Sequence, residues 1–193
     1  MLQQLTLTER NNLHENALWI IMDPWVNQSE LLKYAIPGTV DILPGYNIND
    51  WNKIWADRIA DYLPRVKNWL VITDLGYHDI VTKKEILSPI DPRFSHLPVI
   101  EHRYMKKDLI CQHLPKDCTS IVYTGFHEHM CVLRRPYIGY NNINKENNIN
   151  LDKYIALELT CHWPSPDLKI RLEKQSLRRR PDYKYIRVLD DIK

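Results

Sequence analysis

The feature that most constrains this chain is a series of short, unbroken apolar runs. Residues 17–22 (ALWIIM), 69–73 (WLVIT), 120–124 (SIVYT) and 154–160 (YIALELT) are rich in β-branched, aromatic and aliphatic side chains and bounded by turn residues. Runs of this length read as strands buried on both faces. Residues 99–100 and 185–189 add a short and a weaker strand. Helical stretches stand between them, at 49–63, at 108–114, after residue 131 and at 164–177. In the first of these, Trp51, Ile54, Trp55, Ile59 and Leu63 recur at helical spacing and form one buried stripe. Strands alternating with helices imply a parallel sheet covered on both faces. The expected fold is therefore α/β, a Rossmann-like three-layer α/β/α arrangement with a mainly parallel sheet of about six strands. It is expected to form a single domain over residues 1–193. Residues 1–16 read as a polar surface lead-in with room for one helical turn. Residues 25–47 and 83–98 read as irregular segments with proline turns. Residues 141–150 are rich in asparagine, carry few apolar side chains, and read as an exposed, mobile loop.

Charge and cysteine usage narrow the function. Lysine and arginine number 26 against 24 acidic residues, a net charge of +2, so no large phosphate-binding footprint is implied. The basic run at 169–187, with Arg178, Arg179 and Arg180, reads as a solvated helix end before Pro181. No apolar run is long enough to cross a bilayer and no leader opens the chain, so neither a membrane partner nor export is expected. Cys111, Cys118, Cys131 and Cys161 form no CxxC pair, which fits free thiols in a reducing cytoplasm.

Residues 119–140 carry the most chemistry. A buried strand is broken by Gly125 and followed by Cys131 at the start of an apolar, helical stretch. In open α/β sheets ligands collect at the carboxyl ends of strands. A helix N-terminus there, with its unpaired N–H groups and positive dipole end, favours a thiolate at Cys131. The plainer alternative is that Cys131 is a small apolar residue packing a core helix. Asp23 sits at the tip of the first strand, as a base or as a turn carboxylate. Pro136 lies inside the helix after Cys131, which is expected to be short or kinked.

Four stretches in order, ALWIIMDPW, WLVITDLGYH, EHRYMKKDL and IVYTGFHEHMCV, resemble the isochorismatase-like cysteine hydrolases, a family that includes nicotinamidases. The likeness covers residues 17–160. It implies a six-stranded parallel sheet, frequent self-association into homo-oligomers, and a triad of Asp, Lys and Cys. Matched by position, Asp23 is the base and Cys131 the nucleophile, with backbone N–H groups beside the cysteine as the oxyanion hole. The chain departs from the pattern at the lysine, where Glu101 or His102 stands. A glutamate there would oppose thiolate formation, whereas His102 is a cation only when protonated. Lys106 or Lys107 can reach in from the adjoining loop. Candidate substrate contacts are Trp25, His78, Tyr104, Glu128 and His129, the last of which resembles members acting on isochorismate. Asp74, His78 and His96 do not reproduce the family's metal-binding spacing, so neither a metal nor another cofactor is expected.

The resemblance thus implies a hydrolase that cleaves an amide C–N or related bond of a small molecule. The unmatched lysine leaves a second expectation, a degenerate member that binds a small ligand or protein partner. A nucleic-acid-associated role through the basic C-terminal stretch is the remote third.

Overall fold

A computed structural model describes residues 2–26, 48–73, 76–78, 85–87, 89–126, 128–161 and 183–189. The apolar runs form the strands, as expected. In chain order these are β1 (Leu2–Gln3), β2 (Leu18–Met22), β3 (Trp69–Thr73), β4 (Gly76–His78), β5 (Glu85–Leu87), β6 (Val99–Glu101), β7 (Ser120–Gly125), β8 (Asp152–Thr160) and β9 (Tyr185–Ile186). Seven of them make one sheet in the order β1-β9-β8-β7-β2-β3-β6, and every pairing is parallel. β4 and β5 form a separate antiparallel pair. The fold class is α/β, with the short β1 added to the expected strands at one edge.

The winding places the site. From β2 the chain moves outward through β3 to β6, then crosses back to β7 on the other side of β2 and continues outward through β8 to β9. The direction reverses between β2 and β7, and ligands of open α/β sheets bind outside the strand ends at such a reversal. The register aligns the carboxyl tips, with Met22 opposite both Ile72 and Gly125. β8 bulges between the positions facing Tyr123 and Gly125, so Thr160 draws level with the tip of β7.

Every residue of β2, β3 and β7 is buried, and alternate side chains feed two cores. On one face Trp19, Ile21, Val71 and Val122 meet Leu13, Trp55, Ile59 and Tyr62, which come from α1 (Leu7–Asn16) and α2 (Ile48–Tyr62). On the other, Ile20, Met22, Ile72 and Tyr123 meet Ile110, Val132, Leu133, Ile138 and Ile143.

Several local expectations are corrected. The N-terminal lead-in is a full ten-residue helix, started by a capping box in which Thr6 accepts from the Glu9 N–H and Glu9 accepts from the Thr6 N–H. Such a box satisfies two orphan donors and fixes the helix start. The buried stripe of α2 is shifted: Trp55, Ala56, Ile59 and Tyr62 face the core, whereas Ile54 is 52% exposed. Residues 108–114 make only a 3-10 turn, Ile110–His113. Of the weak last strand, only Tyr185–Ile186 pairs. The asparagine-rich segment is not a loose loop. It folds into α3 (Ile143–Asn147) with Ile143 and Asn147 buried, because those two side chains, the first apolar and the second hydrogen-bonded, turn inward. Segment 83–98 contains β5 and the 3-10 turn Pro92–Phe94. The expected helix at 164–177 lies outside the described residues.

Candidate functional site

Asp23 follows β2 directly and is fully buried. It adopts a positive φ of 53°, a left-handed conformation that aspartate tolerates better than most residues. Hydrogen bonds hold this bend. The Asp23 N–H donates to Ile72 O at 2.9 Å and the Trp25 N–H donates to Asp23 O at 2.9 Å. The next residues are clamped by the 89–91 strip, where the Asp91 N–H donates to Pro24 O at 2.8 Å and Val26 donates to Pro89 O at 3.0 Å. Arg93 in turn grips the Asp91 carboxylate from Nε at 2.8 Å and reaches Asp57 on α2.

Across the reversal, Gly125 ends β7 with φ 148°. A Cβ there would lie 2.6 Å from the Cβ of Met22, so only glycine lets β7 close against the end of β2. The chain then bends into a single π-helical turn, Glu128–Val132, and Cys131 lies on it. The Phe126 N–H donates to Met22 O at 3.2 Å and the Cys161 N–H to Gly125 O at 2.7 Å, tying the tips of β2, β7 and β8 together. Glu128 is fully buried, and its carboxylate accepts from the Tyr185 hydroxyl at 2.6 Å.

The decisive contact involves a residue the sequence reading passed over. Arg135 is buried to 9% exposure and donates from Nη2 to the carboxylate of Asp23. The same nitrogen lies 3.4 Å from Cys131 Sγ, and the Asp23 charge acts on the Cys131 thiol. The guanidinium thus bridges carboxylate and thiol at the reversal point. Arg135 stands four residues after Cys131, a separation that brings side chains together on one helical face. That spacing was the signal available in the sequence.

The thiol is not primed as a thiolate, contrary to the helix-terminus expectation. Desolvation, and then the Asp23 charge, push its pKa far above the ordinary thiol range, while Arg135 pulls in the opposite direction. A five-residue turn has little macrodipole to set against burial, because the dipole is a sum over aligned peptide units. The residue as a whole is half-buried, and all four cysteines are free thiols.

Other expected site residues fall differently. Glu101, one of the two residues standing where the resemblance would place a lysine, pairs with Arg103. His102 lies half-buried in the 3-10 turn His102–Tyr104. Lys106 is exposed, and among the described residues the charges acting on the thiol are those of Asp23 and Arg135. Tyr104 is 65% exposed, beneath the Arg103 guanidinium. Trp25 is nearly buried and donates its indole N–H to Thr73 Oγ1 at 2.6 Å, so it braces the β2 and β3 tips. His78 lies on β4 and His129 on the π turn; their side chains, like Asp74, fall outside the described residues. Of the basic stretch 169–187, residues 183–187 are described. Arg187 there is bonded to the buried Glu158 at 3.1 Å, so it serves the interior.

Among the described residues, no group of three or more His, Cys, Asp or Glu side chains could hold a metal ion. No helix among them is long and apolar enough to cross a membrane. An open hollow of about 530 Å³, lined among others by Leu18, Lys67, Trp69, Pro98 and His113, lies at the amino ends of β2 and β3, opposite the thiol. Comparison with protein-family models, curated proteins and solved structures returns no match.

Proposed function

We propose that the chain is a cysteine hydrolase of small molecules, cleaving an amide C–N or related bond in the manner of the isochorismatase-like family. The observation that carries the reading is the bridging of Asp23 and Cys131 by the Arg135 guanidinium at the sheet reversal. Arg135 takes the part that the resemblance assigns to lysine, reaching the thiol from the nucleophile's own turn.

The protonated thiol dictates the order of events. As Cys131 Sγ attacks the carbonyl carbon, its proton passes to the Asp23 carboxylate, so charge moves from carboxylate to substrate oxygen. The proton then goes to the departing nitrogen, the C–N bond breaks and a thioester remains on Cys131. Water attacks the thioester, Asp23 takes its proton, and the carboxylic product leaves as the thiol is restored. Arg135 stays protonated throughout and balances whichever of its two neighbours carries the negative charge.

The test combines intact-protein mass spectrometry with ammonia release from a panel of small primary amides. The expected result is a transient acyl adduct on Cys131 and turnover that Cys131→Ala abolishes. Turnover surviving that substitution would overturn the reading. The pairing of Arg135 with Asp23 also favours a second reading, a site that binds a small ligand without chemistry. There, a panel compound stabilises the protein against heat equally in wild type and Cys131→Ala, and no adduct forms.

A further inference from the structure

Arg135 can bridge acid and thiol only if its own backbone is held, and residues outside the triad do the holding. The segment after it folds back on it: the Gly139 N–H donates to Arg135 O at 2.8 Å and the Tyr140 N–H donates to Val132 O at 2.9 Å. Gly139 lies so close that a Cβ would stand 2.6 Å from Arg135 N and 2.7 Å from Arg135 O. The Asn142 side chain donates to the carbonyls of both Arg134 and Arg135 at 3.1 Å.

Asn147 supports this fold-back from behind. It is 3% exposed and donates to Tyr137 O at 2.6 Å and Ile143 O at 2.9 Å. Its Oδ1 accepts from the Asp108 N–H at 2.9 Å, which ties in the 102–108 loop. The Tyr123 hydroxyl, from the central strand, donates to Ile138 O at 2.8 Å. Among the described residues, the non-glycine positions with positive φ besides Asp23 are Asp108, Tyr137 and Asn148. The first two are bonded to Asn147 and the third follows it. Backbone in such sparsely populated conformations persists where the surroundings over-determine it, and it gathers at functional sites.

We infer that Gly139, Asn142 and Asn147 are positioning residues that aim the Arg135 guanidinium at Cys131 and Asp23. The asparagine-rich segment is thus the mount of the site's cation. This rests on the reading of Asp23, Cys131 and Arg135 as one site, and it concerns where the arginine is held, whatever substrate is turned over.

The experiment needs no substrate. The rate of Cys131 alkylation by iodoacetamide is followed from pH 7 to pH 10 by peptide mass spectrometry, for wild type, Asn142→Ala and Asn142→Asp. Asn142 is only half-buried, and the two variants remove its donors with and without a change of size. Because Arg135 favours the thiolate, loosening it slows alkylation at pH 9, by about tenfold for each unit by which the thiol pKa rises. In an Arg135→Gln background the same substitutions add nothing, since they act through the missing guanidinium. Wild-type alkylation rates in both Asn142 variants, or an equal slowing in the Arg135→Gln background, would overturn the inference. Absence of amide hydrolysis would sink the proposed reaction and leave these rates to be judged alone.

Discussion

Arg135 Nη2 lies 3.4 Å from the sulfur of Cys131, four residues earlier in the chain. Thiol and cation therefore come from one short segment, and the Asp23 carboxylate is brought to them from the tip of β2. It sets a positive charge beside the thiol although Glu101 or His102 stands where the resemblance would place a lysine.

Asp23 and Arg135 are 0% and 9% exposed. Removing the cation takes away the charge paired with a buried carboxylate, and breaking such pairs on one side costs about 3–5 kcal/mol. Arg135→Ala is accordingly expected to lower the urea midpoint strongly without changing the slope of the transition. An Asp23→Asn, Arg135→Gln double variant recovers part of that loss.

Asp23→Asn should separate thiol acidity from catalysis. The carboxylate raises the thiol pKa by its charge, so its loss speeds Cys131 alkylation at pH 8. On the proposed reaction, loss of the proton acceptor abolishes amide turnover in the same protein. Slower alkylation in the asparagine variant would contradict the electrostatic account.

Gly125→Ala tests the closure of β7 against β2. The new methyl meets Met22 Cβ at 2.6 Å in a backbone region that L side chains rarely adopt. Strain of this kind costs about 1–3 kcal/mol, read as a fall in melting temperature. Pairing it with Met22→Ala, which clears the obstructing side chain beyond Cβ but not Cβ itself, leaves most of the loss in place.

His14 gives stability a pH dependence. Its Nε2 meets the Tyr62 hydroxyl at 2.6 Å, and burial, then Arg10 and Arg65, lower its pKa from the ordinary 6.5. The unfolded chain therefore binds this proton first as pH falls. Stability attributable to neutral His14 is fully present above about pH 6.5 and drains away as pH descends toward the depressed folded value. A His14→Gln variant is expected to show a flatter pH–stability curve across that window.

Much of the fold could be read from the apolar runs, because strands buried on both faces leave an unbroken signature that needs no partner to be recognised. The tips of those runs also marked Asp23 and Cys131. What was missed was written in weaker patterns. Thr6 and Glu9 have the spacing of a capping box, yet α1 buries little besides Leu13, so periodicity gave no warning of a helix. Asn147 looks like a loop residue by type and becomes structural only through its partners at Asp108, Tyr137 and Ile143. Arg135 was hidden by expectation, since the resemblance directs attention to the end of β6, whereas the charge sits four residues after the cysteine itself.

The pairing of β2 with β7 has a consequence for the newly made polypeptide. Leu18 to Met22 align with Ile121 to Gly125, so acid and sulfur meet only once segments a hundred residues apart have docked. Before that moment the sulfur behaves as any cysteine in an open chain, with a pKa near 8.5. Maturation quiets it. A pulse of alkylating reagent during refolding would therefore mark the chains still unfinished and spare those whose central strands have joined.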